Sequence, residues 1–374
     1  MAGIYIHIPF CRQACHYCNF HFTTSLTRKN ELIASLLKEM DIQRNYLQGE
    51  TVETIYFGGG TPSLLPVPDI ESLIDKIKTV LPVSKDAELT LEVNPDDISE
   101  EKLKAWRTAG INRLSMGIQS FFDEDLQWMN RAHSAEQAMK SLDLAVRYFD
   151  NITIDLIYGT PQLTNEKWKH NVQRVLSVNI PHISCYALTV EPKTPLQKMI
   201  LQGKSEDINP GKQSEQFLLL MQWLEEAGYE HYEISNFAKP GFRSRHNSSY
   251  WQGKKYLGIG PSAHSFDGTS RQWNLANNNI YIDSLSKDII PFDKEILTAN
   301  QQLNEYIMTS LRTIEGLNPD VVEERFGEKS RGLLLSASEK YIQNGKMKSP
   351  SGNLVLTKEG KLFADGIAAD LFTI

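Results

Sequence analysis

A chain of 374 residues with 41% hydrophobic and 23% charged residues has an ordinary globular balance; it is too long for one common core and long enough for a large α/β unit plus an appended domain. Its formal net charge of −7 weighs against general nucleic-acid binding, which needs a basic face. The start MAGIYIHIPFC has no signal-peptide pattern and no stretch nears the ~18 apolar residues of a membrane span, so a cytoplasmic location is expected.

Apolar runs then alternate with helical periodicities. Residues 4–8 read as a strand, 26–47 carry helical spacing with Leu32, Leu36, Leu37 and Met40 on one face, and 54–57 read as a strand ending in Gly58-Gly59-Gly60. Residues 70–81 are predicted helical, 88–93 a strand stopped by Asn94-Pro95, and 100–109 a helix closed by Gly110. A fourth strand at 113–117 precedes helical stretches at 122–129 and 135–149. A fifth strand at 152–157, a helix at 165–177 and a sixth strand at 182–188 follow. Six such units in series predict an α/β fold with a parallel sheet, closed wholly or partly as a TIM-like barrel. Residues 215–227 and 230–234 suggest one further unit, and 236–270, rich in Gly, Ser, Asn and aromatics, reads as ordered loops. Helices at 299–314, 319–326 and 330–344, then a hairpin at 346–356 turning at Ser351-Gly352, suggest a winged-helix-like domain. The expected division is a barrel with its extension over 1–285 and a mostly helical domain over 286–374.

Three of the four cysteines, Cys11, Cys15 and Cys18, crowd into one short loop just past the first strand, at the edge where barrel active sites collect. Three thiolates at this spacing can hold three irons of a [4Fe–4S] cubane and leave the fourth open to a chelating amino acid group. That arrangement suits reductive cleavage of a sulfonium. A structural zinc site would normally need a fourth protein ligand, for which Cys185 and His16 are the candidates. Gly59 and Gly60, followed by Thr61, sit where a backbone can approach a ligand closely. Glu92, Gln119 and Asp155 fall at or near later strand ends, with Arg131 farther on. Carboxylates suit the ribose diol and ammonium of S-adenosylmethionine (SAM), and arginine suits its carboxylate. Any one of these residues serves equally well as a strand-end cap or ion pair; their shared rim favours a site.

Tyr5-Ile6-His7-Ile8-Pro9-Phe10, Phe57-Gly58-Gly59-Gly60-Thr61-Pro62, Gly117-Ile118-Gln119-Ser120-Phe121 and Asp155-Leu156-Ile157-Tyr158-Gly159 resemble the radical SAM proteins related to oxygen-independent coproporphyrinogen III oxidase. The resemblance runs from residue 4 to about residue 270 and more loosely to the end. It implies a cluster on Cys11, Cys15 and Cys18, and SAM contacts from Tyr5, Gly60, Thr61, Glu92, Gln119, Arg131 and Asp155. Two departures bear on the branch. The oxidases carry a fourth cysteine two residues after the third, where this chain has Phe20, and a long segment before the cluster, where this chain has ten residues. The short start, Phe20 and the segment His246-Asn247-Ser248-Ser249-Tyr250-Trp251 are similar to the haem-chaperone branch. That branch implies haem as cargo and haem-acceptor proteins as partners, with membrane-bound acceptors and a homodimer compatible with it; His246 is expected either to contact haem or to serve as a hydrogen-bonding loop residue beside Trp251 as a packing anchor. Catalysis by coproporphyrinogen decarboxylation stays open as the alternative, as does a zinc- or RNA-binding module.

Overall fold

The computed structural model describes residues 2–372. Strands β1 (Ala2–Ile8), β2 (Val52–Gly59), β3 (Val83–Val93), β4 (Arg113–Gln119), β5 (Ile152–Tyr158) and β6 (His182–Ala187) pair side by side, all parallel. Helices between them bury one apolar stripe each on the outside of the sheet, as Lys29–Ile42 does with Leu32, Leu36 and Met40. Strands covered on both sides read as near-continuous apolar runs, which is why all six are visible in the sequence. Ile4, Ile6 and Ile8 on β1 and Leu114, Met116 and Ile118 on β4 are all buried.

The sheet does not stop there. After β6 come β7 (Glu230–Glu233), β8 (Asn236–Ala238), β9 (Tyr256–Ile259), β10 (His264–Phe266), β11 (Ser270–Asn274) and β12 (Phe292–Ile296). The order across the sheet is β12-β11-β10-β9-β1-β2-β3-β4-β5-β6-β8-β7, an open partial barrel with antiparallel extensions on both flanks. The expected seventh parallel unit is thus corrected: β7 pairs antiparallel with β8, which pairs antiparallel with β6. The stretch expected as loops holds three strands and the helix Arg245–Trp251, and β9 lies parallel against β1 with Gly3 opposite Tyr256. The last strand of this sheet in chain order, β12, lies beyond the division expected at 285/286.

A second apolar core begins with Leu303 and gathers Ile307, Leu311, Val322 and Leu334 from three helices with Met347 and Leu356 from the hairpin β13 (Met347–Lys348) and β14 (Val355–Leu356). Two unforeseen short helices, Lys358–Lys361 and Ala364–Asp370, close it. No helix among the described residues is long and apolar enough to cross a membrane.

One buried carboxyl ties the extension to the barrel. Glu39 on the first helix is fully buried, accepting hydrogen bonds from Gly260 N (2.8 Å), Asn274 Nδ2 (2.7 Å) and the Tyr281 hydroxyl. Burial pushes its carboxyl up to about 7 against the lowering pull of those three donors. Glu39→Ala leaves a backbone N–H, an amide and a phenol without a partner, so chemical denaturation is expected to show a loss on the order of 3 kcal/mol or more. An unchanged midpoint would mean that the three donors find water.

Candidate functional site

The chain leaves β1 at Ile8 and turns over the rim formed by the C-terminal ends of the parallel strands. Two bonds pin the loop to its own return: Cys11 N donates to Thr23 O (3.0 Å) and Thr23 N to Pro9 O (2.7 Å). A second anchorage is the segment after β4, where His16 N donates to Met129 O (3.1 Å), His16 Nδ1 lies 2.8 Å from Trp128 O, and Asn130 Nδ2 donates to Ala14 O (2.7 Å). The three thiols are held half-buried at the mouth of a cavity of about 530 Å³.

That cavity brings together most of the residues expected from the sequence. Gly59, Gly60 and Thr61 from the end of β2, Glu92 from β3, Gln119 from β4, Asp155 from β5 and Arg131 all line it, with Cys11, Cys15, Cys18 and Phe20. Gln119 belongs to β4 rather than following it, and its φ of +67° at an irregularity in the β4–β5 pairing turns the chain into the rim. Gly59 has φ of +108°, and a Cβ there would stand 2.6 Å from the His7 ring. At Gly60 a Cβ would stand 2.6 Å from Phe10 O, so only glycine lets the β2 turn close against the sulfur loop.

Arg131 is the hub. Its Nη2 donates to Asn94 Oδ1 and Gly117 O, both at 2.9 Å, and its Nη1 lies 3.3 Å from Cys15 Sγ. Asn94 in turn donates to Thr61 Oγ1 (3.1 Å), whose hydroxyl lies 3.7 Å from Cys11 Sγ. Burial pushes the Cys11 thiol up to about 11 and raises Cys18 as well, so without a metal's charge these two stay protonated at neutral pH. Glu92 accepts from the Tyr56 hydroxyl (2.8 Å) and Gly59 N (3.2 Å); burial nevertheless raises it to about 7, with Asp155 adding repulsion. Burial likewise raises Asp155 to about 6.

Arg113, Asn94 and Tyr56 line the same cavity and were not singled out from the sequence. Arg113 is 1% exposed, bonds Thr153 Oγ1 and forms a 3.9 Å ion pair with Glu88, too long for a hydrogen bond, so its Nε and Nη1 have no hydrogen-bond partner among the described residues. The available signal was an arginine opening an otherwise apolar strand. Of the two zinc-completing candidates, Cys185 is packed in the main core, and His16 Nδ1 is held by Trp128 O. Among the described residues no group of three or more His, Cys, Asp or Glu side chains is spaced around a single ion. Three thiols carried on one short loop suit a polynuclear group.

Comparison with known proteins follows the same lines. The Radical SAM superfamily model matches residues 5–175 and the HemN C-terminal domain model matches residues 297–363. A protein of Bacillus subtilis named "Heme chaperone HemW" is 34% identical over 98% of both chains. The chain belongs to the HemW family. An Escherichia coli protein of the same name is 37% identical over 70% of this chain and 69% of its own. The solved structure of Escherichia coli coproporphyrinogen III oxidase (HemN), 24% identical, superposes with a TM-score of 0.85 over 100% of this chain and 90% of its own, a likeness of fold.

Two expected contacts lie elsewhere in this HemW-family chain. Tyr5 lines a separate cavity of about 900 Å³, stacked near Tyr56 with ring centroids 6.0 Å apart. His246 is 1% exposed, and both ring nitrogens are engaged: Nδ1 with Thr54 Oγ1 and Nε2 with the Tyr250 hydroxyl, each at 2.8 Å. Its ring stacks on Tyr56 at 5.0 Å, and burial lowers it to about 3. Here His246 joins helix Arg245–Trp251 to β2, so binding an iron would first require breaking those bonds.

Proposed function

We propose that this chain binds haem and hands it to an acceptor protein, with Cys11, Cys15 and Cys18 holding a [4Fe–4S] cluster and SAM filling the cavity behind it. The haem reading is supported by near full-length similarity to proteins named haem chaperones and carried by one feature of the molecule. A second cavity, of about 900 Å³, adjoins the sulfur-lined one and shares only Asn19 and Phe20 with it, so cargo and cofactor have separate rooms. The labour divides between the barrel with its strands through Ile296 and the helical domain that follows.

The rim fits the cofactor pair on physical grounds. Unpartnered guanidinium N–H groups on Arg113 and Arg131 and two desolvated carboxyls, Glu92 and Asp155, are costly in an empty cavity. SAM carries a carboxylate, an ammonium and a diol that meet both kinds of group. When bound, the cluster and SAM supply one-electron cleavage of a sulfonium carbon–sulfur bond. The chain's own part is to hold three thiolates, to fix Cys15 through Arg131 and to keep the Glu92 carboxyl aimed by Tyr56 and Gly59. Whether that chemistry is used or serves only to order the loop is decided by one anaerobic experiment on reconstituted protein. Stoichiometric haemin binding without release of CO₂ from coproporphyrinogen III supports the chaperone; decarboxylation without haem binding rejects it in favour of the oxidase.

A pH dependence follows. Carboxyls raised to about 7 (Glu92) and about 6 (Asp155) hold their protons in the empty site below those values, and must release them to accept from an ammonium or a diol. SAM affinity should therefore climb from pH 5.5 to about 7, by at most about tenfold per unit for each group, and level off above. Equilibrium dialysis across that range checks it; Glu92→Gln should flatten the upper part of the climb.

A further inference from the structure

The 900 Å³ cavity lies between the extension strands β9, β10 and β11 on one side and the helix Ala299–Leu311 of the C-terminal domain on the other. Its volume is at the upper end of the range for small-molecule sites. Much of its wall is aromatic: Tyr256 and Phe266 face each other across β9 and β10, and Tyr250, Trp251 and Tyr306 close the other sides. Large flat rings offer stacking faces to a large flat ligand.

Three histidines reach this space, and they are not equivalent. His7 Nε2 lies 2.9 Å from His21 O, and His21 Nε2 lies 2.7 Å from Asn278 Oδ1. His264 has no hydrogen-bond partner for either ring nitrogen among the described residues. It points to the same side of β10 as Phe266, two residues on, and its ring stacks near Trp273 with centroids 6.2 Å apart. Partial desolvation among the cavity walls and the nearby Arg271 charge lower its proton affinity, favouring the neutral form that ligates iron.

The charges are also unequal. Arg271 is already paired with Glu305 at 2.7 Å. Arg325 has no ion pair among the described residues; its guanidinium rests 5.9 Å from the Tyr306 ring centroid and 5.0 Å from that of Phe326. A flat apolar space with one open imidazole and one open guanidinium complements a planar metal macrocycle bearing carboxylate arms.

Building on the haem reading above, we propose that haem occupies this cavity, with His264 as an axial ligand to its iron and Arg325 facing its propionates. His264 is solvent-exposed, as a site that must give up its cargo requires. The segment holding it, 176–296, falls between the two matched family models, and His264 lies within the stretch 236–270 expected as ordered loops.

The test is haemin titration of the full-length, anaerobically reconstituted protein, followed by the Soret band and EPR. Wild type should bind one haemin with a shifted Soret band. His264→Ala should move the band and weaken binding by about tenfold or more, as expected for a lost axial nitrogen. Arg325→Ala should weaken haemin binding several-fold yet leave binding of haemin dimethyl ester unchanged, since the ester has no charge for it to meet. His170→Ala, an exposed imidazole on the outer helix Asn165–Ser177, should change nothing. Both cavity residues are on exposed positions, so the variants should fold, which circular dichroism checks. Wild-type binding that His264→Ala and Arg325→Ala leave intact in spectrum and affinity overturns the site while the chaperone reading stands. Wild type that fails to bind haemin overturns the chaperone reading and this site with it.

Discussion

Replacing any one of Cys11, Cys15 and Cys18 with alanine is expected to reduce the iron retained after anaerobic reconstitution to near background. The reason is the ligand count. The loop offers three thiols and Cys185 is locked in the core, so no fourth thiol stands ready to replace a lost one. Cys185→Ala should keep the cluster and cost stability only, about 1 kcal/mol for a small core truncation. Because the three loop thiols are half-buried on a surface connection, their removal should shift the unfolding midpoint of the iron-free protein little. Iron analysis together with Mössbauer spectra separates the two effects. Full iron loading in any loop variant would dismiss the three-thiol reading.

The second large effect concerns Arg131. Removing its side chain leaves Asn94 Oδ1 and Gly117 O without their donors and frees Cys15 from a cation 3.3 Å away. It also takes from the cavity the guanidinium whose Nε still lacks a partner. Arg131→Ala should weaken SAM binding by about 2 kcal/mol or more, roughly thirtyfold, as for other truncated partners of desolvated charges. Arg131→Lys should rescue little, since one ammonium cannot reach the carbonyl, the amide and a ligand at once. Dialysis against labelled SAM measures this, with circular dichroism to confirm the fold. Equal SAM affinity in Arg131→Ala would remove Arg131 from the binding site.

The six parallel strands were legible because strands buried on both faces are written as apolar runs, as in Ile152–Tyr158. The flanking strands were not. β8 is Asn-Phe-Ala and β10 is His-Ser-Phe, three residues each, too short to show a period, and β11 alternates with the buried polar residues Ser270, Gln272 and Asn274. β8 becomes a strand by pairing with β6, and β10 and β11 by pairing in a meander that joins the barrel through β9 on β1, a partner far away in sequence. The rim residues followed from their positions at strand ends, whereas Arg113 escaped because its burial depends on Glu88 and Thr153, which local pattern does not reveal. The setting of His246 is hidden for the same reason: its tandem with Tyr250 is local, but Thr54 engages its other nitrogen from 192 positions away. His264 drew no notice in a segment read as loop.

Asn19 and Phe20 line both cavities, and Phe20 is 68% exposed. On the proposed reading, a side chain common to both chambers couples what fills one to what fills the other. Whatever factor the nucleoside's arrival imposes on porphyrin affinity, the porphyrin must impose on the nucleoside in equal measure.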